Sequence, residues 1–147
     1  MNIVVIFSAV LLLVAGGVDI YKQKRKTCAL DEVVRFVLFV KSELHYRTPD
    51  IENLFSSAKK QNYSYITFNK SVVQPDALCD EEIKKEFTEF VGRLGTTDTD
   101  GQLALCDEYA NRFTERLTER KLKEKSKIQI SAALSVLSAM CVLVLFM

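Results

Sequence analysis

GQLALCDEYANRFTERLTERKLKEKSKIQISAALSVLSAMCVLVLFM, residues 101–147, reads as one helix whose surface changes character twice along its length. In its first part Leu103, Cys106, Ala110, Phe113 and Leu117 recur at steps of three and four, the spacing that aligns one apolar stripe for packing on neighbouring helices. A charged collar follows in Glu119, Arg120, Lys121, Lys123, Glu124, Lys125 and Lys127. Residues 128–147 carry no charged side chain, and at a rise of about 1.5 Å per residue they extend about 30 Å, the thickness of a bilayer's hydrocarbon core. The stretch is therefore expected to be bundle helix, interfacial collar and membrane span in turn.

The start of the chain mirrors its end. Residues 3–18 are also free of charge, Ile20 and Tyr21 extend the apolar run past Asp19, and Lys22, Lys24, Arg25 and Lys26 follow directly. No basic residue precedes the run, so it reads as a retained anchor rather than a cleaved signal peptide. Basic side chains gather on the cytoplasmic side of membrane spans. Two collars, Lys22 to Lys26 and Arg120, Lys121, Lys123, Lys125 and Lys127, thus place the chain between them in the cytoplasm and both termini outside. Three segments are expected: a transmembrane helix over 1–21, a cytoplasmic helical head over 22–127 and a second transmembrane helix over 128–147. Ser131, Ala132, Ser135, Ser138 and Ala139 on one span, and Ser8, Ala9, Ala15, Gly16 and Gly17 on the other, are small enough for close helix contact in lipid.

Within the head, Leu30, Val33, Val34, Val37, Val40 and Leu44 keep helical spacing with no proline before Pro49, so the first helix should run unbroken to about Tyr46. Phe36, Leu38 and Phe39 make it apolar on more than one side, as a central bundle helix would be. Thr48-Pro49-Asp50 stops it and starts a short second helix with Ile51, Leu54, Phe55 and Ala58 inward, Thr48 being placed to cap. Over residues 61–75, Tyr63, Tyr65, Ile66, Phe68, Val72 and Val73 favour extended backbone locally, but a two-strand insertion among helices would lack partners. A loop or broken helix packed through its aromatic residues is expected there.

Asp80, or Asp76, is placed to cap a third helix with Ile83, Phe87, Phe90, Val91 and Leu94 inward and Glu81, Glu82, Lys84, Lys85 and Glu86 largely outward. Gly95 should end it in the left-handed conformation. The connector Thr96-Thr97-Asp98-Thr99-Asp100 is short, so the third helix and the last, opening at Gly101-Gln102, should be antiparallel neighbours. The expected fold class is all-α: an antiparallel bundle of about four main helices flanked by two transmembrane helices.

Twenty Lys and Arg against nineteen Asp and Glu leave a net charge of +1, so no overall field draws the chain to nucleic acid. Cys28, Cys79, Cys106 and Cys141 form no C-x-x-C pair and share no metal-like spacing with His45, which indicates neither zinc nor a disulfide framework. Cys106 on the packing stripe and Cys141 in the apolar run read as small hydrophobes. His45 lies near Glu43 and Tyr46, yet no nucleophile can be placed beside it and no glycine-rich phosphate loop exists, so neither enzymatic activity nor a cofactor is expected. Thr96-x-Asp98-x-Asp100-Gly101, followed by Asp107, resembles an EF-hand loop with threonine for the first ligand and aspartate for the final glutamate. The alternative function is accordingly a membrane-tethered sensor that binds calcium or a small ligand through residues 98–107.

Two further motifs suggest a family. Glu43-Leu44-His45-Tyr46-Arg47-Thr48-Pro49 resembles the E-I-x-Y-x-x-T-P signature of stage III sporulation protein AB, and Leu94-Gly95-x-x-Asp98-x-x-Gly101-Gln102 resembles that family's second signature. The likeness covers nearly the whole chain, an anchor at each end included. It departs at Pro49-Asp50-Ile51, where the family usually continues Pro-Leu, and in lacking tryptophan. The resemblance implies a cytoplasmic helical bundle similar to the platform protein of type II secretion systems and type IV pilus machines. It further implies a non-enzymatic assembly role in the channel joining mother cell to forespore, on the mother-cell side in the outer forespore membrane. The implied partners are the membrane, a cytoplasmic secretion-type ATPase, membrane ring proteins of the channel and further copies of the same chain.

Overall fold

The computed structural model describes residues 2–47, 50–69, 72–76 and 79–146. Among them lie four helices and one hairpin: α1 (Asn2–Arg47), α2 (Ile51–Lys59), β1 (Ile66–Asn69), β2 (Val72–Pro75), α3 (Glu81–Arg93) and α4 (Thr99–Phe146). The protein is mostly helical, as its 3.6-residue periodicity requires. It divides into two compact units, a head, Lys26–Thr118, and a terminal unit made of Met1–Arg25 with Glu119–Met147.

The head is built on α1. Leu30, Val33, Val34, Val37, Val40 and Leu44 are all buried, together with Leu54 and Ala58 of α2, Ile83, Phe87 and Phe90 of α3, and Cys106, Tyr109, Ala110, Phe113 and Leu117 of α4. Helix directions follow from which residues meet. Phe36 lies 5.3 Å from Phe87 between ring centroids and Lys26 Nζ lies 3.4 Å from Asp80 Oδ1, so α1 and α3 run parallel. Phe90 meets Tyr109 at 5.2 Å and Glu86 Oε1 meets Arg116 Nη2 at 2.7 Å, so α4 returns antiparallel to α3. Leu38 is 47% exposed, so α1 is covered on fewer sides than its three-way apolar pattern suggests.

Residues 61–75 correct the expected loop or broken helix. β1 and β2 pair antiparallel, with Ile66 opposite Pro75 and Phe68 opposite Val73, and the pairing continues one step further where Asp76 N–H donates to the Tyr65 carbonyl at 2.7 Å. Ile66, Val73 and Pro75 are buried while Thr67 and Gln74 are exposed, the period-two alternation of a strand with one covered face. A two-stranded sheet alone is marginal in water. This one is supported because its inner face rests on helices: Phe68 meets Phe36 at 6.1 Å and Tyr63 meets Phe36 at 6.0 Å. The partners that a helical chain was expected to lack are helix side chains rather than further strands.

A carboxylate fixes the hairpin's approach. Glu32 on α1 is 6% exposed and accepts the N–H of Ser64 at 3.1 Å on Oε1 and that of Tyr65 at 2.7 Å on Oε2. Two backbone donors that neither helix nor sheet satisfies thus find a charged acceptor.

In the terminal unit Lys127 Nζ donates to Gln23 Oε1 at 3.1 Å, which sets the collar segments of α1 and α4 side by side. Ile128, Ile130, Leu134 and Leu137 are exposed. Among the described residues no helix is long and apolar enough to cross a membrane. The side chains of residues 2–20 and many of 132–146, with the small-residue strips apart from Ser131 and with Cys141, lie outside the described ones, as do Thr48 and Pro49.

Candidate interaction site

The residues of the second motif account for one another as a helix–turn–helix. Leu94 is buried and ends α3 in extended backbone, and its N–H donates to the Val91 carbonyl at 3.3 Å. Gly95 follows with φ of +79°, the left-handed conformation that suits glycine. Asp98 is the residue before α4, and its Oδ1 accepts the N–H of Gly101 at 3.1 Å, the arrangement of an N-cap. Gln102 reaches back from the first turn, its Nε2 donating to the Thr97 carbonyl at 2.9 Å. Gly101 sits tightly under this cap, since a Cβ there would lie 2.7 Å from Asp98 Oδ1 and 3.0 Å from Thr97 Cβ. α4 therefore starts at Thr99, two residues before the Gly101-Gln102 opening expected.

The starts of α2 and α3 are less orthodox. Asp50 and Asp80 occupy the N-cap positions of α2 and α3, but neither side chain makes a cap hydrogen bond. Asp80 faces Lys26 instead. Asp76 serves through its backbone, its carbonyl accepting the Cys79 N–H at 3.0 Å.

The first motif meets the second at one corner of the head. Ile51 at the start of α2 is 37% exposed rather than buried, and it lies over Gly95: a Cβ on Gly95 would clash with Ile51 Cδ1. Beside this contact is a groove with a volume of about 450 Å³. Leu44, Ile51 and Leu54 supply apolar wall, Asp50, Glu52 and Asn53 polar rim, and Gly95 and Gln102 the side facing the α3–α4 turn. Leu94 points into the core, and Asp98 and Gly101 hold the turn without lining the groove. Tyr46, 79% exposed, sets its ring edge-on to His45 at 5.2 Å, and Glu43 is half-buried on the same last turns of α1.

Gly95→Ala is expected to destabilise the head by about 1–3 kcal/mol, the sum of a left-handed non-glycine residue and the push on Ile51. Urea unfolding followed by circular dichroism measures it. In an Ile51→Ala background the steric part should vanish and the conformational part remain; full additivity of the two substitutions would refute the contact.

The remaining sites read from sequence are dispersed. Lys22, Lys24, Arg25, Lys121, Lys123, Lys125 and Lys127 are exposed in the terminal unit, with Arg120 half-buried and Lys123 Nζ 3.8 Å from Glu119. Lys26 belongs to the head, where it pairs with Asp80. The calcium reading finds Asp98 engaged as a cap and Asp107 held by Lys41 Nζ at 2.5 Å. Among the described residues no group of three or more His, Cys, Asp and Glu is gathered as for a metal ion.

Glu32 and Lys41 are the polar residues that pattern reading passed over. The signal for Glu32 was available: it is an acid set between Leu30 and Val33 on a helix, with Ala29 and Phe36 three and four residues away on the same side. The Lys41–Asp107 pair leaves no such trace, being a match of two exposed faces.

Cys106 beside that pair is fully buried, and its thiol is pushed up to about 11 by burial first and by Asp107 second, with Lys41 pulling the other way. A folded value above the unfolded one means that the neutral thiol stabilises the fold at neutral pH, a contribution lost as pH rises through about 11. At about pH 8 iodoacetamide should therefore modify the exposed Cys28 while sparing the buried Cys106 until urea unfolds the head. Equal rates in the folded protein would contradict this.

Comparison of the chain with models of protein families, with curated proteins and with solved structures gives no match.

Proposed function

We propose that the chain is a non-enzymatic membrane platform of the stage III sporulation protein AB type, an assembly component of the secretion-like channel between mother cell and forespore. In this reading 1–21 and 128–147 cross the outer forespore membrane and the head stands in the mother-cell cytoplasm. There it couples a cytoplasmic secretion-type ATPase to the channel's ring proteins. The observation that carries the reading is the corner where two motif segments, far apart in sequence, line one groove: Leu44 from the first, Gly95 and Gln102 from the second. The basic collars and the uncharged runs beyond them support the membrane part.

A platform needs a rigid body rather than a reacting group. Its helices must carry contact with a motor to the membrane, and α1 and α4, at 46 and 48 residues, each continue from the head into the terminal unit. Deleting the gene in its sporulating host should allow engulfment and arrest the forespore afterwards; normal spores would refute the role. Topology has its own test. In intact vegetative cells made to produce the chain, where it sits in the cell membrane, a membrane-impermeant maleimide should reach a cysteine added after Met147 and leave Cys28 untouched until lysis; the reverse pattern overturns the orientation. Cys28 is the suitable reporter because it is exposed, whereas Cys79 is buried.

A further inference from the structure

We infer that the groove at the α2 start is a docking site for an arginine side chain carried on a segment of a partner protein. Its polar rim is rich in acceptors. Asp50 and Glu52 are exposed carboxylates with no ion pair among the described residues, and Asn53 contributes an exposed amide. Gln102 commits its Nε2 to the Thr97 carbonyl, which leaves Oε1 to accept. Among the described residues no basic side chain lines the groove. A guanidinium has five donors and no acceptor, so the two carboxylates match it, and their charge disfavours an anion. The apolar wall of Leu44, Ile51 and Leu54 suits the aliphatic stem of the same side chain.

One field opposes a cation here. The start of α2 carries roughly half a positive charge, and Asp50 does not cap it through its side chain. Two full carboxylate charges on the rim exceed that half charge. Asp98 and Asp100 in the adjoining turn add to the negative side, against Arg47 at the end of α1. The identity of the partner rests on the platform reading, but the chemistry of the groove does not.

The test uses the full chain in detergent micelles with N-acetyl-arginine methylamide as probe, its neutral citrulline counterpart as control, and NMR of the Asn53 and Gln102 side-chain amides as readout. The arginine compound should shift these signals saturably, the citrulline compound should not, and Asp50→Asn with Glu52→Gln should weaken binding about tenfold. Both replacements are at exposed residues and nearly isosteric, and an unchanged amide spectrum without probe shows that the fold is kept. Equal shifts from both compounds, or undiminished binding by the double variant, overturn the proposal. So does inorganic phosphate shifting the same amides, which would make this an anion site, or their movement on dilution alone, which would make a second copy the occupant. If arginine binds and the deletion strain forms normal spores, the platform reading falls and the groove stands; absence of arginine binding removes the groove whatever the strain does.

Discussion

Phe36→Ala is expected to destabilise the head by about 3–5 kcal/mol, the range for emptying a buried phenylalanine site that cannot collapse. Phe36 is fully buried on α1 and touches three aromatic rings from two directions, Tyr63 and Phe68 from the hairpin side and Phe87 from α3. From Phe87 the contact continues through Phe90 and Tyr109 to Phe113, so one aromatic line ties the hairpin, α3 and α4 together through this residue. Removing the ring leaves a void bounded by rigid neighbours on elements that are each held elsewhere. Phe36→Leu keeps most of the volume and should cost about 1.5 kcal/mol or less. Leu38→Ala, two residues away but half out in solvent, should stay within about 0.5 kcal/mol. Urea unfolding of the full chain in micelles orders the three variants; a Phe36→Ala loss no larger than that of Leu38→Ala would dismiss the aromatic line as the centre of the core.

Glu32→Ala is expected to cost about 2–4 kcal/mol, because two part-buried backbone N–H groups lose a charged acceptor at once. The Ser64 and Tyr65 amides have no strand or helix partner to fall back on, since the ladder begins at Ile66. Arg35 approaches Glu32 only to 3.5 Å and is itself mostly exposed, so its ion pair adds little beside the two hydrogen bonds. Glu32→Gln keeps one acceptor oxygen and should lose less than Glu32→Ala. The effect should also be local: hydrogen exchange at Ser64, Tyr65 and the hairpin should quicken more than at Phe90 or Phe113. Uniform loss of protection across the head would show that Glu32 acts through general stability rather than by holding the hairpin.

Much of the fold was legible because burial follows period. The stripe Leu30, Val33, Val37, Val40 and Leu44, and the stripe Cys106, Ala110, Phe113 and Leu117, are buried as their spacing requires, with Tyr109 and Leu105 widening the second. Gly95 was legible for a separate reason: a glycine after the last apolar turn meets a backbone conformation that other residues resist. Ile51 illustrates the limit. It sits at an inward position of α2 by count, yet a helix of nine residues at the rim of the head leaves its first turn half in water. The hairpin failed for a related cause: Ile66-Thr67-Phe68 and Val73-Gln74-Pro75 do alternate, but whether alternation becomes a strand depends on what covers the inner face.

The candidate site divides the same way. Leu94, Gly95, Asp98, Gly101 and Gln102 specify a turn through contacts within a few residues of one another, so the sequence by itself determined that α3 must stop, reverse and restart as α4. It likewise determined the basic collars and uncharged runs at the two ends, which are properties of composition in order. Only the tertiary structure decided that Ile51 closes over Gly95, that Leu44 and Gln102 share a groove, and that Glu32 holds the hairpin down. Those are meetings between residues separated by many helical turns. No local spacing encodes them, because they depend on which helix faces pack and in what direction each helix runs.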